Sequence, residues 1–350
     1  MDAPRRRVLE IINRRGDGAA FWTGHPSDAI VPILSGAWGI APTREAIYSY
    51  LEDDCRWIGA WGGLKDPDQA LDPYRGIESH IGHAAGGVLR GAETLADVES
   101  MYAWPKRQDY DYSHIYAEID KHPDKAVFTG DWSPFFHIVA AFFGMERYFV
   151  LMHENPKIVE AVTERVADCC VASNEALFSG LGDRADIMFF GNDFGTQQDL
   201  FISPDCFRRF ALPTIKRLVS VGKKHGKKVA MHCCGSIYRI IPMLIDAGVD
   251  LLHPIQAQAA GMSAAELAKY KGDIAFLGGI DAQSFFVNAS PSQIADEVAR
   301  VYDILGPNII ISPSHEAILP NVPPENVLAM ARAAKGLARP AKANDTASEE

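Results

Sequence analysis

His232 and Cys234 stand two residues apart at the end of the apolar run Val229-Ala230-Met231, and the chain turns immediately afterwards at Gly235-Ser236. In an extended segment side chains alternate, so His232 and Cys234 project to one side while Cys233 projects to the other. One imidazole and one thiolate converging from a single strand end form half of a zinc site. Zn2+ takes histidine nitrogen and cysteine sulfur, and in catalytic sites keeps a coordination position open. The other four cysteines suit no such role. Cys169 and Cys170 fall within a helical pattern, and Cys55 and Cys206 have no near partner in the sequence, so packing is their expected use.

The elements that must position this pair follow a repeating pattern. From Ala126 onward, short β-branched or aromatic runs alternate with helical periodicity. The predicted strands are Ala126–Asp131, Ile187–Phe190, Val229–Met231, Leu251–Leu252, Ile274–Leu277 and Ile309–Ile311. The intervening helices are Pro156–Phe178, Pro204–Lys224, Ser236–Ala247, Ser263–Tyr270, Pro291–Leu305 and Pro323–Lys335. Six strand–helix units imply right-handed crossovers and a parallel sheet. Two more strands, near Ala19–Trp22 and Ile77–His83, bring the count to that of a (β/α)8 TIM barrel, of the α/β class. An open doubly wound sheet is the alternative, disfavoured by the lack of a Gly-x-Gly-x-x-Gly turn. The reading places a helix over Thr43–Ile58 with Thr43 as its cap, loops through most of Gly24 to Arg90, one domain over 1–337 and a disordered tail over 338–350.

Composition narrows the partners. Acidic residues outnumber basic ones by 45 to 34, a net charge of -11, which disfavours nucleic acid and anionic membranes. The apolar stretch from Pro134 to Met145 falls short of the roughly 20 residues a membrane helix requires. Six cysteines, four of them in adjacent pairs, do not make a disulfide framework in 350 residues. The expected setting is the cytoplasm and the expected partner a small molecule.

A barrel gathers its chemistry at the C-terminal ends of its strands. Asp131 and Trp132, Asn192 to Gln197, His232 and Cys234, His253 and Gln256, Asp281 and Gln283, and His315 and Glu316 all fall there. His315, at the end of the last strand, is the candidate third metal ligand. Gln256 would be a poor zinc donor through its amide oxygen. Asp193, Asp131 and Glu316 have the chemistry for proton transfer. Asn192, Gln197, Gln256, Asp281 and Trp132 are expected to hold substrate. Trp22, Trp38, Trp57 and Trp61 join Trp132 as candidate walls of an apolar pocket.

Between about Arg5 and Lys335 the sequence resembles the uroporphyrinogen decarboxylase superfamily, which includes that decarboxylase and cobamide-dependent methyltransferases. The resemblance rests on Asn192-Asp193-Phe194-Gly195-Thr196-Gln197, His232-Cys233-Cys234-Gly235-Ser236, Gly248 to Gln256, Gly278-Gly279-Ile280-Asp281, Ser314-His315 and Val322-Pro323-Pro324-Glu325-Asn326. The decarboxylase carries an arginine-rich loop for its substrate's carboxylates near the N-terminus, where this chain reads Thr23-Gly24-His25-Pro26-Ser27-Asp28. The His-x-Cys pair is similar to the zinc motif of the methyltransferase branch and of cobalamin-independent methionine synthase. Their further ligands, a Glu and a Cys, have Gln256 and His315 at similar positions here. The resemblance therefore implies a Zn2+-dependent methyltransferase. It would move a methyl group between a methoxy, amine or thiol substrate and a corrinoid (cobalamin) carried on a partner protein. A homodimer is compatible with it. A metal-free decarboxylase of a smaller acid, using His315 and an aspartate, is the alternative.

Overall fold

The computed structural model describes residues 3–61, 63, 65, 87–102, 104 and 110–337. Among these, eight strands form one parallel sheet: β1 (Ala20–Phe21), β2 (Cys55–Gly59), β3 (Ala126–Gly130), β4 (Ile187–Gly191), β5 (Lys228–His232), β6 (Leu251–Ile255), β7 (Ala275–Ile280) and β8 (Ile309–Pro313). They are ordered β1-β8-β7-β6-β5-β4-β3-β2. With helices in the crossovers this is a (β/α)8 barrel, as the alternating pattern predicts.

Alternation along each strand builds two hydrophobic layers. Ala126 and Phe128, Ile187 and Phe189, Ala230, Leu251, Leu277 and Ile310 face the interior. Val127, Met188 and Phe190, Val229 and Met231, and Leu252 pack outward against the helices. The N-terminal helix Ala3–Ile12 belongs to the inner layer: Val8, Ile11 and Ile12 seal the barrel below those strands.

β1 and β2 close the barrel without a strand ladder. The Asp54 N–H donates to the Phe21 carbonyl at 3.0 Å, and Asp54 Oδ2 accepts from the Phe21 N–H at 2.9 Å. One residue earlier, Asp53 accepts from both the amide and the hydroxyl of Thr23. Asp54 is in turn neutralised by Arg7 at 2.7 Å and Lys335 at 3.1 Å. Two buried carboxylates thus satisfy backbone donors that an eighth strand pairing, between β1 and β2, would otherwise serve.

Several predicted boundaries shift. The helix predicted over Thr43–Ile58 spans only Arg44–Tyr50, and its second half is β2. Thr43 does cap it, accepting from Ala46 N–H at 3.2 Å. The strand predicted near Ile77–His83 and the tail 338–350 lie outside the described residues. The helix predicted over Pro204–Lys224 breaks at Ala211, because Pro213 in the first turn of the second helix has no N–H to continue the first. The one predicted from Ser236 begins at Ile241, again with a proline in its first turn. No single helix among the described residues is long and apolar enough to cross a membrane.

Candidate metal centre

β5 ends at His232, in register with Gly191 of β4 and His253 of β6. His232 continues the inward parity of Ala230, and Cys234 follows it to the same side. Its Sγ lies 3.2 Å from His232 Nε2. Cys233 points away and is fully buried in the outer layer.

The third group comes from the loop after β4. Asp193 Oδ1 sits 3.3 Å from His232 Nε2 and accepts the Cys234 N–H at 2.8 Å. The loop reaches this position because Gly195 and Gly235 allow two backbones to touch. A Cβ on Gly235, whose φ is +89°, would meet Gly195 O at 2.4 Å, and one on Gly195 would meet Ser236 N at 2.7 Å. The contact is fixed by Ser236 N–H donating to Thr196 O at 2.7 Å. Gln256 Oε1 accepts the Gly235 N–H at 2.7 Å, and His137 Nε2 accepts the Asp193 N–H at 3.1 Å.

Ligand atoms of Asp193, His232 and Cys234 all lie within 4.8 Å of one another. Bond lengths of about 2.0–2.3 Å at tetrahedral angles separate zinc ligands by about 3.3–3.6 Å, close to the spacings around His232 Nε2. A second convergent group comprises His232, His253 and Glu316. His232 Nδ1 lies 3.0 Å from His253 Nδ1 and 3.6 Å from Glu316 Oε2. Among the described residues that oxygen is buried without a hydrogen-bond partner, as is His253 Nε2. Glu316 is held by its own backbone, whose carbonyl accepts the His25 N–H across from Gly24.

The electrostatics call for a cation here. Burial opposes charge on His232, but Cys234, Glu316 and Asp193 outweigh it and hold the imidazole well above its ordinary pKa. Burial also pushes Asp193 up, yet the bond and charge of His232, with the Cys234 amide, bring it below the usual carboxylate range. The Cys234 thiol is raised by burial, less so for facing His232. Burial drives His253 the other way, well below the ordinary histidine value, and His232 adds to this. The acceptors around His232 favour a proton on it, and a metal bound at such a donor set would displace that proton.

The remaining predicted residues have varied surroundings. His315 lies outside both donor groups: its ring centroid is 6.4 Å from that of His232, its Nδ1 accepts from Ala317 N–H at 3.0 Å, and its side chain is 42% exposed. Both polar atoms of buried Asn192 engage the loop after β3, with Oδ1 accepting from Phe136 N–H and Nδ2 donating to Ser133 O. Asp281 accepts from the amides of Gln283, Ser284 and Phe285 and from the Ser284 hydroxyl, capping the short helix Phe285–Asn288. Asp131 is buried at the end of β3, its N–H bonded to Asn174 Oδ1 at 3.1 Å. Gln197 is exposed.

Trp132 packs 5.0 Å from His232 and 5.5 Å from both Trp57 and Phe189. Trp22 approaches His253 at 5.5 Å. These three tryptophans form an aromatic side to the centre. Trp38 instead stacks on Tyr50, and Trp61 is 54% exposed. Neither His253 nor His137 stands out as a metal-centre residue in the sequence. For His253 the available signal is its place at the end of the strand after the His-Cys strand.

Comparison with known proteins bears on the fold and the family. Over 96% of its length the chain superposes on 99% of a methyltransferase from Methanosarcina mazei, with a TM-score of 0.66 and 16% identity, so the two share a fold. A chain described as a vitamin-B12 independent methionine synthase from Listeria monocytogenes aligns over 91% of this chain and 98% of its own, at a TM-score of 0.45 and 9% identity. No curated protein matches the sequence. Residues 114–337, which contain every donor of the centre, match the uroporphyrinogen decarboxylase (URO-D) family, and the chain belongs to that family.

Proposed function

We propose that the protein is a zinc-dependent methyltransferase that moves a methyl group between a small methoxy, amine or thiol compound and a corrinoid carried on a separate protein. The observation that carries the reading is the convergence of His232 Nε2, Cys234 Sγ and Asp193 Oδ1 at one strand end. One nitrogen, one sulfur and one carboxylate oxygen fit Zn2+, and three protein ligands leave a position for substrate. The buried oxygen of Glu316 beside them, without a hydrogen bond among the described residues, adds a further acceptor.

Bound there, Zn2+ supplies a Lewis acid that polarises the oxygen, nitrogen or sulfur bearing the methyl group. His232, Cys234 and Asp193 hold the ion. Glu316 Oε2, 3.6 Å from His232 Nδ1 and 3.5 Å from His315 Nδ1, takes or returns the substrate's proton. Trp57 and Trp132 exclude water from the apolar side and orient the substrate. In this assignment Asp193 replaces His315 as third ligand. This reading sets uroporphyrinogen aside as substrate, because Thr23 to Asp28 carries no arginine for its carboxylates, Thr23 is bound to Asp53, and Asp28 is paired with Arg44.

The test combines metal analysis with turnover. Purified protein is expected to hold about one zinc per chain, and to methylate free cob(I)alamin from an aryl methyl ether, a methylamine or a methyl thioether, followed by absorbance. Zinc content no higher than that of Cys234→Ala would overturn the reading. So would conversion of uroporphyrinogen to coproporphyrinogen at an enzymatic rate.

A further inference from the structure

We propose that His253 is a positioning residue that fixes the tautomer of His232, accepting a hydrogen bond from its Nδ1 so that Nε2 is presented to Asp193 and Cys234. The inference rests on the metal reading of this centre and assigns the group behind its central ligand.

Three observations carry it. The two Nδ1 atoms are 3.0 Å apart, within hydrogen-bond range, whereas Glu316 Oε2 at 3.6 Å is outside it. Of the two candidate partners for His232 Nδ1, His253 is the one that bonds. The pair is also set by backbone, since His232 and His253 are register partners in β5 and β6, and Cys233 N–H donates to the His253 carbonyl at 2.7 Å. Register fixes where the two residues stand, and burial of both rings restricts their rotation. Finally, His253 is fully buried between Trp22 and Phe189, each with ring centroids 5.5 Å away and steeply inclined. Its Nδ1 has no other side-chain partner among the hydrogen bonds of the described residues.

A histidine that ligates a metal through Nε2 must carry its proton on Nδ1, and that proton needs an acceptor. Ligating histidines more often use a carboxylate or a carbonyl for this. Here a second imidazole serves, with its own proton on Nε2, the buried nitrogen that has no partner.

The experiment compares wild type with His253→Asn and His253→Phe. Asparagine places an acceptor oxygen where Nδ1 stood, and phenylalanine keeps the ring without an acceptor. Chelator competition is expected to show zinc affinity reduced about 10- to 100-fold in His253→Phe and largely kept in His253→Asn. In parallel, long-range 1H–15N correlation should show a slowly exchanging His232 Nδ1 proton in wild type and His253→Asn that is lost in His253→Phe. Equal zinc affinity in all three proteins, or an equal loss in both variants, overturns the proposal. If wild type takes up no zinc, the metal reading fails separately, and the Nδ1 proton in metal-free protein decides: its absence overturns the role of His253, and its presence in all but His253→Phe supports it.

Discussion

Gly195 and Gly235 lie back to back, so close that a Cβ on Gly235 would fall 2.4 Å from the carbonyl oxygen of Gly195. This contact carries Asp193 to His232, because it locks the loop after β4 against the turn after β5. Gly235→Ala is expected to cost about 1–3 kcal/mol from its left-handed backbone alone, before the clash is counted. It should also lower zinc affinity. Thermal melts and chelator titration on the same sample check both, and a variant with wild-type melting and wild-type affinity would refute the coupling.

The two neighbouring cysteines should separate cleanly. Cys234→Ala is expected to lose zinc, whereas Cys233→Ala keeps it and loses only the stability of a small buried group, about 1 kcal/mol. His315→Ala is expected to retain wild-type zinc content, since His315 stands outside both donor groups. Metal analysis of the three variants decides. Loss of zinc from His315→Ala to the level of Cys234→Ala would return His315 to the coordination sphere.

Asp53 makes the seam of the barrel sensitive to pH. Burial pushes its carboxyl up to about 7 from 3.8, only partly offset by the hydroxyl and amide of Thr23. A carboxyl whose pKa is raised on folding holds its proton better in the native state. Its contribution to stability is therefore greatest below about pH 4 and is lost as pH rises through about 7. Asp53→Asn keeps a neutral partner for Thr23 at every pH. The variant is expected to gain on wild type between pH 5 and pH 8, by a few kcal/mol at most. Parallel denaturant curves that give a pH-independent difference would show that Asp53 is ionised throughout.

Asp281 tests whether a strand-end aspartate serves substrate or scaffold. Asp281→Ala removes four accepted hydrogen bonds and is expected to destabilise the fold by about 1–3 kcal/mol, leaving zinc content and substrate KM unchanged. A raised KM without loss of stability would assign it to the substrate instead.

The sequence made some parts of this arrangement legible and left others hidden, for physical reasons. Strands buried on both faces announce themselves as apolar runs, so β3 to β8 could be read directly. β2 could not, because Arg56 and Trp57 interrupt its apolar character and it follows the helix Arg44–Tyr50 without glycine or proline between. Alternation alone placed His232 with Cys234 and set Cys233 aside. The pairing of His232 with His253 depends on the register between two strands, and Asp193 depends on a backbone contact across two loops. Neither is encoded in the spacing along the chain.

The centre is assembled from two separate lengths of polypeptide. Trp22 and Trp132 follow β1 and β3 and Trp57 lies within β2, all before residue 133, while Asp193, His232, Cys234, His253 and Glu316 come from β4 onward. The halves touch through ring contacts, Trp132 with His232 and Phe189 and Trp22 with His253, and through the hydrogen bonds of His137 and His25 with Asp193 and Glu316, and not through shared ligands. The aromatic side and the donor set are therefore written on different stretches of the gene. Under the proposed function, exchanging the segments that follow the first three strands would change what lines the aromatic side, provided the exchange keeps the two hydrogen bonds they share with the donor set, from the Asp193 N–H to His137 Nε2 and from the His25 N–H to the Glu316 carbonyl.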